Sequence, residues 1–110
     1  MTLTTHVLDT STGAPAEGIA MVLYSVDGAV RTELAGATTN ADGRTDEPLA
    51  EALAPGYYEL SFTVAPYFAA RGVATFYDEI TIRFRIDPDP RHYHVPLLLA
   101  PWSYSTYRGS

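Results

Sequence analysis

The chain has 110 residues, no cysteine, and a formal charge of −6, with thirteen acidic residues against seven basic ones. The missing thiols exclude disulfides, thiolate metal sites and cysteine nucleophiles. The acidic balance argues against nucleic acid and anionic membrane surfaces as partners. One domain over residues 1–110 is expected, long enough to bury roughly 65% of its unfolded surface without staples. The N-terminal Met1-Thr2-Leu3-Thr4-Thr5-His6 has neither the cationic nor the apolar region of a signal peptide. No apolar run approaches the ~20 residues of a membrane span, so a cytoplasmic protein is expected.

Period-two patterning runs through nearly the whole chain. Leu3–Asp9 reads as a first strand and Thr10–Pro15 as a turn. Ile19–Val26 and Val30–Thr38 form a hairpin across Asp27-Gly28. Asn40-Ala41-Asp42-Gly43 is a tight turn that presents Arg44, and Tyr57–Val64 alternates apolar with polar residues. Pro66–Gly72, with proline first and glycine last, is the one helical piece. Glu79–Ile86 alternates isoleucine and phenylalanine with Thr81, Arg83 and Arg85, which predicts one buried and one wet face. Asp87-Pro88-Asp89-Pro90 is a turn, and His92–Leu99 and Trp102–Tyr107 complete the set. About seven or eight short strands at this spacing predict an all-β, antiparallel sandwich.

From Val95 to Ala100 both alternate faces are apolar. A sandwich strand needs one apolar face, so something must cover the other. A second subunit is favoured over the short helix as that cover. The final strand, with Trp102, Tyr104 and Tyr107, could also pair edge to edge with a copy of itself.

Residues two apart on a strand share a face. Tyr93, Val95, Leu97 and Leu99 therefore read as core, and His92, His94, Pro96 and Leu98 as the opposite face. Thr4, His6 and Leu8 likewise share a face, so all three histidines can converge on one wall with Arg44 and Arg108 as cationic partners. From spacing alone, ordinary interface or surface histidines come first. A zinc or copper site built on His92 and His94 comes second. Metal-free general acid–base catalysis comes third. Asp9 and Asp42 read as turn formers, and no Gly-x-Ser-x-Gly elbow marks a nucleophilic serine.

Three blocks carry a resemblance: Thr5-His6-Val7-Leu8-Asp9, Thr39-Asn40-Ala41-Asp42-Gly43-Arg44, and the tail from His92 to Ser110. Together they resemble the 5-hydroxyisourate hydrolases, transthyretin-like enzymes of urate breakdown. The ending Tyr107-Arg108-Gly109-Ser110 is the most specific part. Transthyretin, the thyroid-hormone carrier, lacks both that ending and the histidines. The resemblance implies a transthyretin-type sandwich of two four-stranded sheets with one short helix, and a homotetramer (a dimer of dimers) with sites where dimers meet. It implies hydrolysis of 5-hydroxyisourate to 2-oxo-4-hydroxy-4-carboxy-5-ureidoimidazoline without metal or organic cofactor. His6, Arg44 and His94 would be catalytic, Tyr107, Arg108, Gly109 and Ser110 would bind substrate, and His92 would be secondary, orienting or structural. Ala100, Trp102 and Asp78 depart from the family's usual residues, outside that set. The alternatives are a carrier of a small aromatic anion, which needs neither histidine, and a metal-binding sandwich using His92 and His94.

Overall fold

A computed structural model describes residues 2–88 and 91–109. The alternating runs become β1 (Thr2–Asp9), β3 (Ala20–Asp27), β4 (Val30–Thr38), β6 (Gly56–Thr63), β7 (Glu79–Ile86), β8 (Tyr93–Leu99) and β9 (Tyr104–Thr106). Two two-residue strands, β2 (Ala14–Pro15) and β5 (Ala50–Glu51), flank β1, and α1 spans Ala65–Ala69. One sheet runs β2-β1-β8-β9 with β5 also paired to β1; the other runs β4-β3-β6-β7. The expected two-sheet sandwich with one short helix therefore forms. Of the turn expected at 87–90, Asp89 and Pro90 lie outside the described residues. Among the described residues no helix is long and apolar enough to cross a membrane.

The core lies between the sheets. β1 contributes Leu3 and Val7, β8 contributes Tyr93, Val95, Leu97 and Leu99, and the facing sheet supplies Met21, Leu23, Leu60, Phe62 and Ile80. Each fully buried aliphatic or phenyl side chain is worth about 1.5–3 kcal/mol. The strict alternation of β1, with residues 3, 5, 7 and 9 buried and 2, 4, 6 and 8 half-buried, turns His6 outward, as expected. On β7 the expected wet face holds: Arg83 pairs with Glu59 at 2.8 Å and Arg85 with Asp87 at 2.9 Å.

One pairing departs from the antiparallel pattern. β1 and β8 lie side by side in parallel, in register from Leu3↔Tyr93 to Asp9↔Leu99. Parallel neighbours need a long crossover, and most of the chain serves as one here. β8 is thus an interior strand between β1 and β9. The helix does not cover its outer face, because the buried rings of α1, Tyr67 and Phe68, belong to the core between the sheets. The helix is also shorter than expected. Backbone turns from Ala70 to Pro66 and from Gly72 to Ala69 finish the segment without extending it.

Asp9 is more than a turn former. It takes the Ser11 backbone N–H and hydroxyl on Oδ1, and the buried Tyr67 hydroxyl donates to Oδ2 at 2.9 Å. Burial alone would raise its carboxyl, but these donors outweigh it and hold the pKa below the ordinary value. Burial first, and then the Asp9 bond, push the Tyr67 phenol up to about 12. Because that pKa is raised, the pair's contribution is whole below about pH 10 and is lost as the pH climbs through about 12. Tyr67→Phe leaves a carboxylate oxygen of Asp9 without its donor, at an expected cost of about 1–3 kcal/mol. Urea unfolding at neutral pH measures it, and a variant as stable as the parent would show that the bond gives no net stability.

Candidate active site

The outward face of β1 and β8 gathers the histidines. The parallel register sets Thr4 beside His94 and His6 beside Pro96. Thr4 Oγ1 lies 3.0 Å from His92 Nε2 and 2.8 Å from His94 Nδ1, so one hydroxyl bridges two imidazoles. The Thr2 hydroxyl bonds the remaining His92 nitrogen, Nδ1. The His92 and His94 rings lie nearly parallel, 6.2 Å apart between centroids and 19° between planes.

The turn before Arg44 is built for this place. Asn40 Oδ1 accepts the backbone N–H groups of Asp42 (2.9 Å) and Arg44 (3.2 Å), and the Asn40 N–H bonds the Arg44 carbonyl. The turn docks on β1 through Val7 N–H donating to the Gly43 carbonyl at 2.8 Å. Arg44 is exposed, and its charge acts on two imidazoles at once. Burial first, then Arg44, lower the His6 pKa below the usual imidazole value, against an opposing contribution from Asp42. Burial first, then Arg44, His92 and His6, lower His94. Both rings are therefore neutral at pH 7.

The C-terminal tail reaches the same face. Gly109 N–H donates to the His94 carbonyl at 2.8 Å, forming an isolated bridge beyond β9. A Cβ on Gly109 would fall 2.5 Å from His94 Cδ2, so only glycine lets the tail seat this closely. Tyr107 is 58% exposed. The Arg108 guanidinium lies 4.3 Å over the ring of Tyr93, and Arg108 lines one hollow with His94 and another with His92 and Gly109. Ser110 lies outside the described residues. A cavity of about 310 Å³, lined among others by Ile82, Phe84, Tyr93, His94, Tyr107 and Arg108, brings the tail beside His94.

The structure thus brings together His6, His92, His94, Arg44 and the backbone of Gly109. Two neutral imidazoles and a guanidinium on one face can take a proton, return one and hold developing negative charge. Among the described residues no three His, Asp or Glu side chains come together as a metal-binding group. Thr4 was not among the expected site residues. Its position two before His6 put it on the right face, but its link to His92 and His94 depends on the β1–β8 pairing.

Comparisons with known proteins give the chain's family. Residues 3–109 match the model of the HIUase/Transthyretin family. A protein of Deinococcus radiodurans named 5-hydroxyisourate hydrolase is 53% identical, over 98% of this chain and 95% of its own length. The crystal structure of (S)-allantoin synthase superposes with a TM-score of 0.91 at 42% identity; this chain is covered over 99% but spans only 43% of that protein. Sea bream transthyretin in complex with thyroxine superposes with a TM-score of 0.92 at 27% identity, covering 99% of this chain and 95% of its own. With a family model spanning nearly its whole length and a relative sharing half its residues, the chain belongs to the HIUase/Transthyretin family.

Proposed function

We propose that this chain is a hydrolase that opens the ring of 5-hydroxyisourate with water, giving 2-oxo-4-hydroxy-4-carboxy-5-ureidoimidazoline, on the outward face of β1 and β8. The observation that carries the reading is the meeting of His6, His94 and Gly109 on one face, with both imidazoles under the charge of Arg44. The 53% identity to a protein named for this activity supports it, against 27% for transthyretin.

The residue types match what the reaction requires. One neutral imidazole of the His6–His94 pair takes a proton from water, whose oxygen adds to the ring carbonyl. The oxyanion develops opposite Arg44, whose charge is permanent and needs no reorganisation. Collapse breaks the acyl–nitrogen bond, and a protonated imidazole supplies the proton that the departing nitrogen needs. Tyr107 and Ser110 offer hydrogen bonds to the ring, Arg108 a second cation at its rim, and Gly109 holds the tail on His94. No metal or organic cofactor takes part. In a subunit alone His94 stays half-buried, and β8 carries buried Pro96 and half-buried Leu98 on the same side. A dimer of dimers in which that face meets its copy closes the site and covers the second apolar face of β8.

The test is decay of freshly generated 5-hydroxyisourate, comparing the intact chain with one lacking residues 107–110. Acceleration by the intact chain alone is expected. No acceleration by either form would overturn the hydrolase and favour a carrier of a small aromatic anion. A neutral-imidazole base also sets the pH profile. Both histidines titrate below the ordinary imidazole value near 6.5, so kcat/KM stays level down through neutral pH and falls only on the acid side of it. Arg44→Gln removes a charge that opposes protonation, so the His6 and His94 titrations, followed by NMR, move upward. Unmoved titrations would separate Arg44 from the site.

A further inference from the structure

Behind His94 runs a continuous line of exchangeable protons: His94 Nδ1, the Thr4 hydroxyl, His92 Nε2, and, across the His92 ring, Nδ1 and the Thr2 hydroxyl. We propose that Thr4 and His92 form a relay in which Thr4 sets the tautomer of His94 and His92 holds the proton that His94 removes from water. The proposal rests on the hydrolase reading above and assigns the base to His94.

The argument begins with the hydroxyl. Thr4 carries one O–H proton and sits within hydrogen-bond reach of two ring nitrogens, so it can donate to only one and must accept from the other. Neutral imidazole has one N–H and one bare nitrogen, which makes the line directional. In one direction His94 Nδ1–H donates to Thr4, Thr4 donates to His92 Nε2, and His92 Nδ1–H donates to Thr2. His94 Nε2 is then a bare base. The reversed direction satisfies the same bonds and leaves Nε2 protonated, as an acid. The Thr4 main chain also favours a proton on the His94 ring, and the Gly109 backbone packs against its Cδ2 edge. Nε2 is left as the ring nitrogen not bonded to the Thr4 hydroxyl.

The two directions correspond to the two halves of the reaction. When Nε2 takes a proton from water, the Nδ1 proton passes to Thr4 and the Thr4 proton to His92 Nε2. His94 becomes neutral again, now with Nε2–H, and His92 is the imidazolium. His94 then gives its Nε2 proton to the departing nitrogen, and the His92 proton returns through Thr4 to Nδ1. One proton enters and one leaves, so the line resets. The difference in exposure favours the transfer. His94 is half-buried and faces Arg44 from the turn, His6 from β1 and His92 from just before its own strand, with Arg108 of the tail stacked on Tyr93 beside both His92 and His94. His92 is exposed, and water solvates its charge. Its ring lies 6.2 Å from that of His94, close enough for one hydroxyl to span.

Thr4→Val keeps the shape of threonine and removes the hydroxyl; His92→Gln removes the proton store. Each is expected to lower kcat on the order of 10–100-fold, less than the full worth of general acid–base catalysis. The double variant should lose no more than either single one, because the members act as a unit. Thr4→Ser should restore turnover. Nitrogen-15 NMR of the imidazoles gives a readout separate from activity: His94 is expected as the Nδ1–H tautomer in the parent and in Thr4→Ser, and not in Thr4→Val. Full turnover in Thr4→Val or His92→Gln, additive losses, or a tautomer indifferent to Thr4 would each overturn the relay. A parent chain that fails to hydrolyse 5-hydroxyisourate would overturn the hydrolase instead, with the NMR result still deciding the link between Thr4 and His94.

Discussion

Replacing His94 by glutamine is expected to lower turnover of 5-hydroxyisourate by about 10²–10⁴-fold while leaving the sandwich folded. That loss corresponds to about 3–5 kcal/mol of barrier. The two effects separate because of where the ring sits. His94 projects from the outward face of β8, whereas its neighbours Tyr93 and Val95 carry the core side. Its backbone bond to Gly109 survives the substitution, so the tail keeps its seat. Glutamine retains hydrogen-bonding atoms but cannot take a proton near neutral pH. Steady-state kinetics, with circular dichroism and a thermal melt on the same sample, read the two effects side by side. A soluble, assembled variant with parental turnover would remove His94 from the chemistry.

The largest expected loss of stability comes from a residue without a side chain. Gly43 has φ +74°, in the left-handed region, and a Cβ built there would lie 2.3 Å from the Val7 carbonyl oxygen and 3.1 Å from Pro15 Cβ. An alanine in that backbone conformation costs about 1–2 kcal/mol, and forcing an atom into packed surroundings adds about 1–3 kcal/mol. The contact atom is backbone of β1, which cannot swing aside, so the turn must lift and the Val7–Gly43 hydrogen bond with it. Gly28 provides the control, with φ +60° and nothing within 4 Å of its Cβ position. Gly28→Ala should show the conformational cost alone, and Gly43→Ala that cost plus the clash. A melting temperature lower by roughly 10 °C or more for Gly43→Ala is consistent with ~4–8 °C per kcal/mol in a domain of this size. Equal destabilisation of the two variants would mean that the turn does not dock on β1 as described. Since the same Cβ would lie 3.3 Å from His6 Cδ2, Gly43→Ala should also disturb the His6 titration.

Much of this protein was legible in order along the chain. Period-two alternation placed the seven longer strands and turned His6, His92 and His94 away from the core, because a strand's side chains point to opposite faces whatever it pairs with. The Asn40–Gly43 turn could be read locally, since an asparagine side chain that captures backbone N–H groups and a glycine in the left-handed region act within a few residues. Two-residue strands such as β2 and β5 carry too little pattern to be seen. Arg108 was expected as a cationic partner of the histidines; that its guanidinium stacks on Tyr93 beside them depends on how the tail folds back over β8.

By itself, the sequence determined the seven longer strands, their faces, and the residue types able to move protons or hold an anion, since these follow from local backbone geometry and side-chain chemistry. Only the tertiary structure decided that β1 pairs with β8 in parallel, that the Gly43 turn rests on β1, and that Thr4 bridges His92 and His94 across 88 and 90 positions of chain. Such pairings are chosen by the burial of a shared core and the closing of distant backbone hydrogen bonds, energies that no short window of residues contains.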